Sequence, residues 1–285
     1  MSPLSISQIL TSSSQRLIHS YDTSRLDVEV LVAHALNLTR TQLYLYSDRL
    51  LTPEETLTIN ALITRRYEGE PVAYIVGIKE FWSLDLKVTS GTLIPRPETE
   101  HLVELALGII PGDVHWQVAD MGTGSGAIAI AIAKERPKSQ VVAVDESMAA
   151  LGVAKENADE FNINNIRFTQ SHWFNSLAGE VFDLIISNPP YIGTEDTHLK
   201  QGDLVFEPSS ALVSGKDGLD DIRQIALDAK KHLVDGGALL LEHGWDQAGA
   251  VQDILIEHLY ANVQTHKDLS GNERITMGLF KRKVT

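Results

Sequence analysis

The sequence predicts an α/β fold. Its body is a mostly parallel, seven-stranded sheet covered on both faces, with an antiparallel hairpin at one edge. A helical bundle and a β-hairpin connector precede it. Three observations carry this reading. From residue 114 onward, strand-like apolar runs alternate with helical stretches, the pattern of parallel sheets whose crossovers are helices. The last two runs have no helix between them, and Asp268-Leu269-Ser270-Gly271-Asn272-Glu273 supplies turn chemistry instead, so they pair antiparallel. Residues 1–70, by contrast, show helical spacing and no strand pattern.

Taken in order, apolar residues recur at helical spacing in Ile6-Ile9-Leu10 and in Leu26-Val30-Leu31-His34-Ala35-Leu38, with Ser24 and Asp27 as an N-cap pair. Thr52-Pro53-Glu54-Glu55 is a stronger start: Thr52 caps, Pro53 fits the first helical position and Glu55 closes a capping box. That helix is expected to stop near Gly69. Residues 71–95 form the connector, read as two extended segments, Val72–Gly77 and Phe81–Val88. Pro97 starts a helix through Leu102, Val103, Leu105 and Ala106 in a third region, 96–285. Strands are expected at 114–120, 140–145, 166–171, 182–187, 237–242, 262–268 and 274–280, and helices at 126–135, 147–161, 219–233 and 246–260.

Composition removes several classes of function. The chain has 285 residues, 43% hydrophobic and 22% charged, as in an ordinary soluble globular protein. Its apolar runs are too short to span a bilayer. It has no cysteine, which excludes disulfides, thiolate metal sites and cysteine nucleophiles. Met-Ser-Pro-Leu-Ser-Ile at the start lacks a basic segment followed by an apolar core, so the cytoplasm is the expected compartment and no membrane association is expected. The formal net charge of −14 argues against nucleic acid as partner, because neutralising phosphates supplies much of that affinity.

The first strand of the α/β region ends in Asp120-Met121-Gly122-Thr123-Gly124-Ser125-Gly126-Ala127, directly before a helix. Glycines there permit a tight turn and close backbone approach to a ligand. Asp145 closes the second strand, 19 residues after Gly126, where a carboxylate accepts hydrogen bonds from ribose hydroxyls. Together these features give a Rossmann-like site for a nucleoside-containing cofactor. Gly122, Gly124 and Ala127 also satisfy the dinucleotide pattern, so NAD stands beside S-adenosylmethionine. The lysine and threonine of a phosphate-gripping loop are absent, which argues against ATP and GTP. Asp120 at the strand end favours a cationic ligand, and the α-amino group and sulfonium of S-adenosylmethionine meet it better than a pyrophosphate.

A second loop follows the strand Asp183-Leu184-Ile185-Ile186-Ser187, which breaks into Asn188-Pro189-Pro190-Tyr191. Neither proline has an N–H to continue a ladder, and Pro189 drives Asn188 to an extended backbone. The product is a stiff elbow at a strand's carboxyl end, where ligands bind in open α/β sheets. It offers two acceptors, the Asn188 side-chain oxygen and the Pro189 carbonyl, beside the Tyr191 ring. That set suits a planar –NH2 group, whose two N–H bonds the acceptors would hold. Such a nitrogen is a poor nucleophile, so its partner must be a strong, aligned electrophile such as a sulfonium methyl group.

The Asn188–Tyr191 elbow and the Gly122–Gly126 loop resemble class I S-adenosylmethionine-dependent N-methyltransferases, a superfamily that includes DNA adenine N6-methyltransferases. Gly69-Glu70-Pro71-Val72-Ala73-Tyr74-Ile75, Leu93-Ile94-Pro95-Arg96-Pro97-Glu98-Thr99-Glu100, Phe206-Glu207-Pro208 and Gly271-Asn272-Glu273-Arg274 resemble, more narrowly, the HemK/PrmC family over essentially the whole chain. The resemblance implies methylation of the side-chain amide N5 of glutamine in the Gly-Gly-Gln motif of bacterial class 1 peptide-chain release factors, by a monomer. It implies that Gly122, Thr123, Gly124, Ser125, Gly126, Asp145, Trp173 and Asn188 hold S-adenosylmethionine. Asn188, Pro189 and Tyr191 would be catalytic, Asn188 to Tyr191 (Pro190 included) would hold the substrate amide, and the helical bundle would dock the release factor. Ribosomal-protein glutamine methylation and DNA or RNA adenine N6-methylation are the alternatives. The sister group that acts on ribosomal protein lacks the form seen at residues 95–100, and the charge opposes nucleic acid.

The remaining polar clusters read as structural. The ten histidines show no metal-ligand spacing, and no metal is expected. Asp217-Gly218-Leu219-Asp220-Asp221 reads as a helix start, Glu207 as a pin for the loop after the elbow, and Glu242-His243 as a strand end bordering the site.

Overall fold

The structure, a computed structural model, describes residues 3–18 and 23–282. Met1 and Ser2 of the segment read for an export signal lie outside the described residues. The chain divides into two compact units, one comprising residues 1–78 with 201–206 and the other 79–200 with 207–285.

The first unit contains helices α1 (Ile6–Leu17), α2 (Ser24–Leu36), α3 (Arg40–Leu45), α4 (Pro53–Tyr67) and α5 (Val72–Val76). Capping boxes start three of them, Ser5 with Gln8, Thr39 with Gln42, and Thr52 with Glu55, the last followed by Pro53. Each box satisfies two amide groups that the first helical turn leaves without a partner. Ile6, Ile9, Leu10, Leu31, Leu43, Ile59 and Ile63 meet in its core.

Two expectations need correction here. Ser24 is the first helical residue, not the cap, and Asp27 turns inward to receive Arg66 Nε at 2.8 Å. Val72–Val76 is a helical turn rather than an extended segment. Pro71 stands at its start, and Gly77 (φ 76°) closes it in the left-handed region, the usual punctuation of a helix end. The hairpin is shorter than expected, β1 (Ile78–Phe81) and β2 (Leu84–Lys87), turned by Trp82 and Ser83 at φ 53° and 55°.

The second unit continues with α6 (Thr99–Ile109), β3 (Gln117–Met121), α7 (Ala127–Glu135), β4 (Gln140–Asp145), α8 (Met148–Glu160), β5 (Ile166–Gln170), β6 (Phe182–Ser187), α9 (Asp220–Ala229), β7 (Leu233–Glu242), α10 (Ala248–Glu257), β8 (Ala261–Lys267) and β9 (Glu273–Leu279). The seven-stranded sheet has the order β5-β4-β3-β6-β7-β9-β8. β5 through β7 run parallel, and β9 pairs antiparallel with both β7 and β8.

Alternate residues of the central strands enter opposite cores. Val118, Leu184, Ile186 and Leu240 pack under α6 and α7, whereas Ala119, Ile185, Leu239 and Leu241 pack under α9 and α10. The direction of strand addition reverses between β3 and β6, and a ligand crevice opens outside the carboxyl ends at such a point. Met121 of β3 is in register with Ser187 of β6. The glycine loop and the proline elbow therefore leave the sheet side by side.

Candidate active site

Backbone hydrogen bonds fold the glycine loop over the end of β4. Gly122 and Thr123 donate to the Val144 carbonyl at 2.9 and 2.8 Å. Asp145 Oδ2 accepts from Gly124 N and Oδ1 from Ser147 N, both at 2.9 Å. Burial raises the Asp145 pKa, and these two N–H groups oppose that rise. Gly126 (φ 85°) answers a packing need. A Cβ there would lie 3.0 Å from Ala154 Cβ and Ile130 Cδ1. Gly126→Ala is expected to lower the unfolding free energy of this unit by roughly 1–3 kcal/mol, measured by urea denaturation.

A cavity of about 430 Å³ opens at this edge of the sheet. Among the residues expected at the site, Gly122, Gly124, Asp145, Trp173, Asn188 and Pro190 line it. Thr123, Ser125, Gly126, Pro189 and Tyr191 do not. The Thr123 hydroxyl donates to Asp120 Oδ2 at 2.6 Å, and the Ser125 carbonyl accepts from Asn157 Nδ2 at 2.9 Å. Pro189 is buried, and the half-buried Tyr191 ring packs on the core beneath α9 and α10. Burial raises the Tyr191 pKa, so its hydroxyl stays protonated.

Asp120 departs from the sequence reading. It is fully buried and does not line the cavity. Strand alternation sends it to the face covered by α7, where Oδ2 also accepts from Ala129 N at 3.2 Å. Its Oδ1 has no partner among the described residues, and burial pushes its pKa up to about 7. The negative lining comes instead from Asp145, Glu146 and Asp221, and no lysine or arginine lines the cavity.

Trp173 (φ 46°) has its indole held by Nε1 donating to Asp221 Oδ1 at 3.1 Å. A Cβ on Gly122 would stand 3.5 Å from that ring, so the ring lies close against the loop. Asn188 Nδ2 donates to Thr99 Oγ1 at 3.1 Å, and no donor among the described residues reaches Asn188 Oδ1. Arg96 holds the buried Glu207 side chain at 2.6 Å, which ties the segment before α6 to the loop after the elbow. His243 is fully buried, bonded to the Gly244 carbonyl and to Thr276 Oγ1 at 2.9 and 2.8 Å, and burial depresses its pKa. It is a neutral structural residue.

Comparison with known proteins adds to this geometry. Residues 8–77 match a family model described as the PrmC N-terminal domain, and residues 103–215 match one described as the methyltransferase small domain. The release factor glutamine methyltransferase of Xylella fastidiosa (strain Temecula1) is 50% identical over 254 residues, which cover 89% of this chain and 92% of the relative. That of Escherichia coli (strain K12) is 45% identical over 263 residues, covering 92% and 95%. This chain belongs to the release factor glutamine methyltransferase family.

Two solved structures share the fold at lower identity. A methyltransferase from Pyrococcus furiosus has a TM-score of 0.54 at 20% identity, covering 77% of this chain and 98% of that one. The 16S rRNA N2 G1207 methyltransferase of Thermus thermophilus, in complex with AdoMet and guanosine, has a TM-score of 0.51 at 19% identity, covering 72% and 50%. Within the family's fold, sequence reasoning missed Ser90–Leu93, His172, Ser210, Val213 and Asp221 of the cavity wall. Only Asp221 carried a signal, as a carboxylate opening α9.

Proposed function

We propose that this protein transfers the methyl group of S-adenosylmethionine to the side-chain amide nitrogen of the glutamine in the Gly-Gly-Gln motif of bacterial class 1 release factors. The observation that carries the proposal is the pose of Asn188. Its carbonyl oxygen has no donor among the described residues, while its Nδ2 is engaged by Thr99 at the wall of an acidic cavity. An exposed amide oxygen at that place accepts an N–H of an incoming primary carboxamide. The curated relatives, named as release factor glutamine methyltransferases, support the choice of amide over adenine.

The residues present fit S-adenosylmethionine. Asp145 retains acceptor capacity toward a ribose diol, since each carboxylate oxygen takes more than one hydrogen bond. The Trp173 ring and the glycine backbone supply flat surface. Three carboxylates with no lysine or arginine suit a cationic donor and oppose the pyrophosphate of NAD. When bound, the cofactor supplies a methyl group on a positively charged sulfur, which leaves as a neutral thioether.

The chain's own part is positioning. Asn188 Oδ1 holds one N–H bond of the glutamine amide at the cavity wall, and the family resemblance assigns the second to the Pro189 carbonyl and the amide plane to Tyr191, although neither residue lines the cavity. This orients the nitrogen lone pair toward the methyl carbon. With the donor bound, the nitrogen so held would take the methyl group as the sulfur keeps the S–C bonding pair, and would then release one proton to water. Holding the pair in line converts an encounter into a first-order step. We place the reaction in the cytoplasm, with the helical unit docking the factor and the protein acting as a monomer without nucleic acid.

The test is a methyl-transfer assay with labelled S-adenosylmethionine. Its acceptors are purified release factor, the same factor with its Gly-Gly-Gln glutamine changed to alanine, and an adenine-containing oligonucleotide. Label on the intact factor alone is expected. Label on the oligonucleotide and not on the factor overturns the proposal.

A further inference from the structure

Asn157 lies in the second half of α8, is 3% exposed and does not line the cavity. Its side chain reaches two segments that are distant in the chain. Oδ1 accepts from Lys87 N at 2.7 Å, and Nδ2 donates to the Lys87 carbonyl at 3.0 Å and to the Ser125 carbonyl at 2.9 Å. An asparagine amide has two N–H donors on one end and a carbonyl on the other. Two carbonyls face one end here and an N–H faces the other, so the amide has a single orientation and both N–H bonds are used. Toward Lys87 it acts as a neighbouring strand would, giving and taking one hydrogen bond at the edge of β2 that β1 leaves open.

Both attachment points lead directly to the cavity wall. Lys87 ends β2, and the wall begins shortly after it at Ser90–Leu93. The turn between is bonded to itself. Thr92 N donates to the Thr89 carbonyl at 2.9 Å, Thr89 N to Thr92 Oγ1 at 3.2 Å and Gly91 N to Thr89 Oγ1 at 3.3 Å. Such a turn follows the end of the strand as one piece. Ser125 sits beside Gly124, which lines the cavity and donates to Asp145. Gly126, on its other side, rests against Ala154 on the preceding turn of α8. The start of α8 adds Ser147 and Ala150 to the same cavity.

Three parts of the wall therefore hang on one helix, and one amide sets the distance between two of them. Asn157 stands among the buried Ala154 and Ala158, where an apolar side chain would serve packing alone. A fully bonded buried amide adds a fixed spacing. We propose that Asn157 is a positioning residue for the methyl donor, holding the Ser90–Leu93 wall and the glycine loop at the separation that admits S-adenosylmethionine. This rests on the functional reading above. Because Asn157 stands outside the cavity, its effect falls on donor affinity and not on the transfer step.

Calorimetry with S-adenosylmethionine, without release factor, tests the proposal. Asn157→Asp keeps the shape and the acceptor but has no N–H for either carbonyl, and Asn157→Ala removes all three bonds. Each is expected to raise the donor Kd roughly ten-fold or more, the equivalent of one well-made hydrogen bond. In methyl transfer at saturating donor, kcat and the KM for the factor should stay within about two-fold of the parent. Asn165→Ala controls for stability alone. Asn165 Nδ2 donates to the Ala133, Arg136 and Ser139 carbonyls at 3.1, 3.3 and 3.0 Å, away from the cavity wall. That variant should lower the melting temperature and leave the donor Kd within about two-fold. Donor affinity unchanged in the Asn157 variants, or weakened as much in Asn165→Ala, overturns the proposal.

Hydrogen exchange reads the tie itself. In the free protein, the Gly124 and Thr92 amides, one on each wall, should exchange faster together in the Asn157 variants and not in Asn165→Ala. A change at one wall only, or at neither, overturns the tie. A parent that binds no donor while its variants show this pattern sinks the functional reading and not the tie. If neither Asn157 variant folds, the parent still decides. Coupling is reciprocal, so saturation with S-adenosylmethionine should slow exchange of the Lys87 amide, which lies outside the cavity. Unslowed exchange there overturns the proposal.

Discussion

Replacing Asn188 by alanine is expected to lower kcat for methyl transfer by on the order of 10²–10³-fold, the usual effect of deleting one positioned polar group at a reacting centre. The reason is geometric. Asn188 leaves the sheet beside Gly122, because β3 and β6 are in register at Met121 and Ser187, and a stiff pair of prolines follows it. Its Oδ1 has no donor among the described residues, whereas its Nδ2 is engaged at 3.1 Å. Alanine removes an acceptor whose hydrogen bond strengthens as the amide nitrogen is alkylated and gains positive charge, so the loss falls mainly on kcat rather than on substrate affinity. The side chain is partly exposed and makes one protein hydrogen bond, so the melting temperature should stay close to that of the parent. Steady-state kinetics with a thermal melt check both statements. Turnover within a few-fold of the parent would refute the amide clamp.

The second large effect concerns stability. Arg66→Met is expected to destabilise the helical unit by about 3–5 kcal/mol, the cost of leaving one partner of a buried ion pair alone. The Arg66 and Asp27 side chains are 5% and 9% exposed and meet at 2.8 Å. Arg66 Nη1 also donates to Asp203 at 2.8 Å and to the Glu70 carbonyl at 3.1 Å. Methionine keeps the bulk of the stem and strands the Asp27 charge among Val28, Leu31 and their neighbours. Changing Asp27 to leucine in the same chain should restore much of the loss, because replacing both partners by apolar groups is often neutral. Chemical denaturation of the three variants, followed by far-ultraviolet circular dichroism, measures the coupling. A single-variant loss below about 1 kcal/mol would show that the pair is not what organises this core.

How far the sequence reveals this molecule depends on the distance between interacting residues. β4 and β6 run over the expected 140–145 and 182–187, because each centres on a short apolar run, Val141–Val144 and Leu184–Ile186, that stops at a polar residue. β7 starts at Leu233, earlier than the expected 237. Gly236 and Gly237 read as a break, yet the chain passes through them with a shift in register. Val72–Val76 is too short for periodicity to separate helix from strand, and its flanking proline and glycine decide the matter. At the site, the glycine loop, Asp145 and the elbow each carry a local motif. Asp120 has the right chemistry, but strand alternation, invisible in an isolated motif, aims it away from the cavity. Thr99 and Asn188 lie far apart in the chain, and only the packing of α6 over the end of β6 brings them together. No local pattern announces that pairing. The cavity wall at Ser90–Leu93 and at Ser210, Ala211 and Val213 is likewise assembled by topology.

If the elbow presents an acceptor to one primary carboxamide, fragment-ion mass spectrometry of release factor after incubation with this protein and S-adenosylmethionine reads the outcome directly. A single added methyl group on the side-chain nitrogen of the Gly-Gly-Gln glutamine is expected. A methyl group on any other residue, or an unmodified factor under conditions where the protein binds the donor, would contradict it.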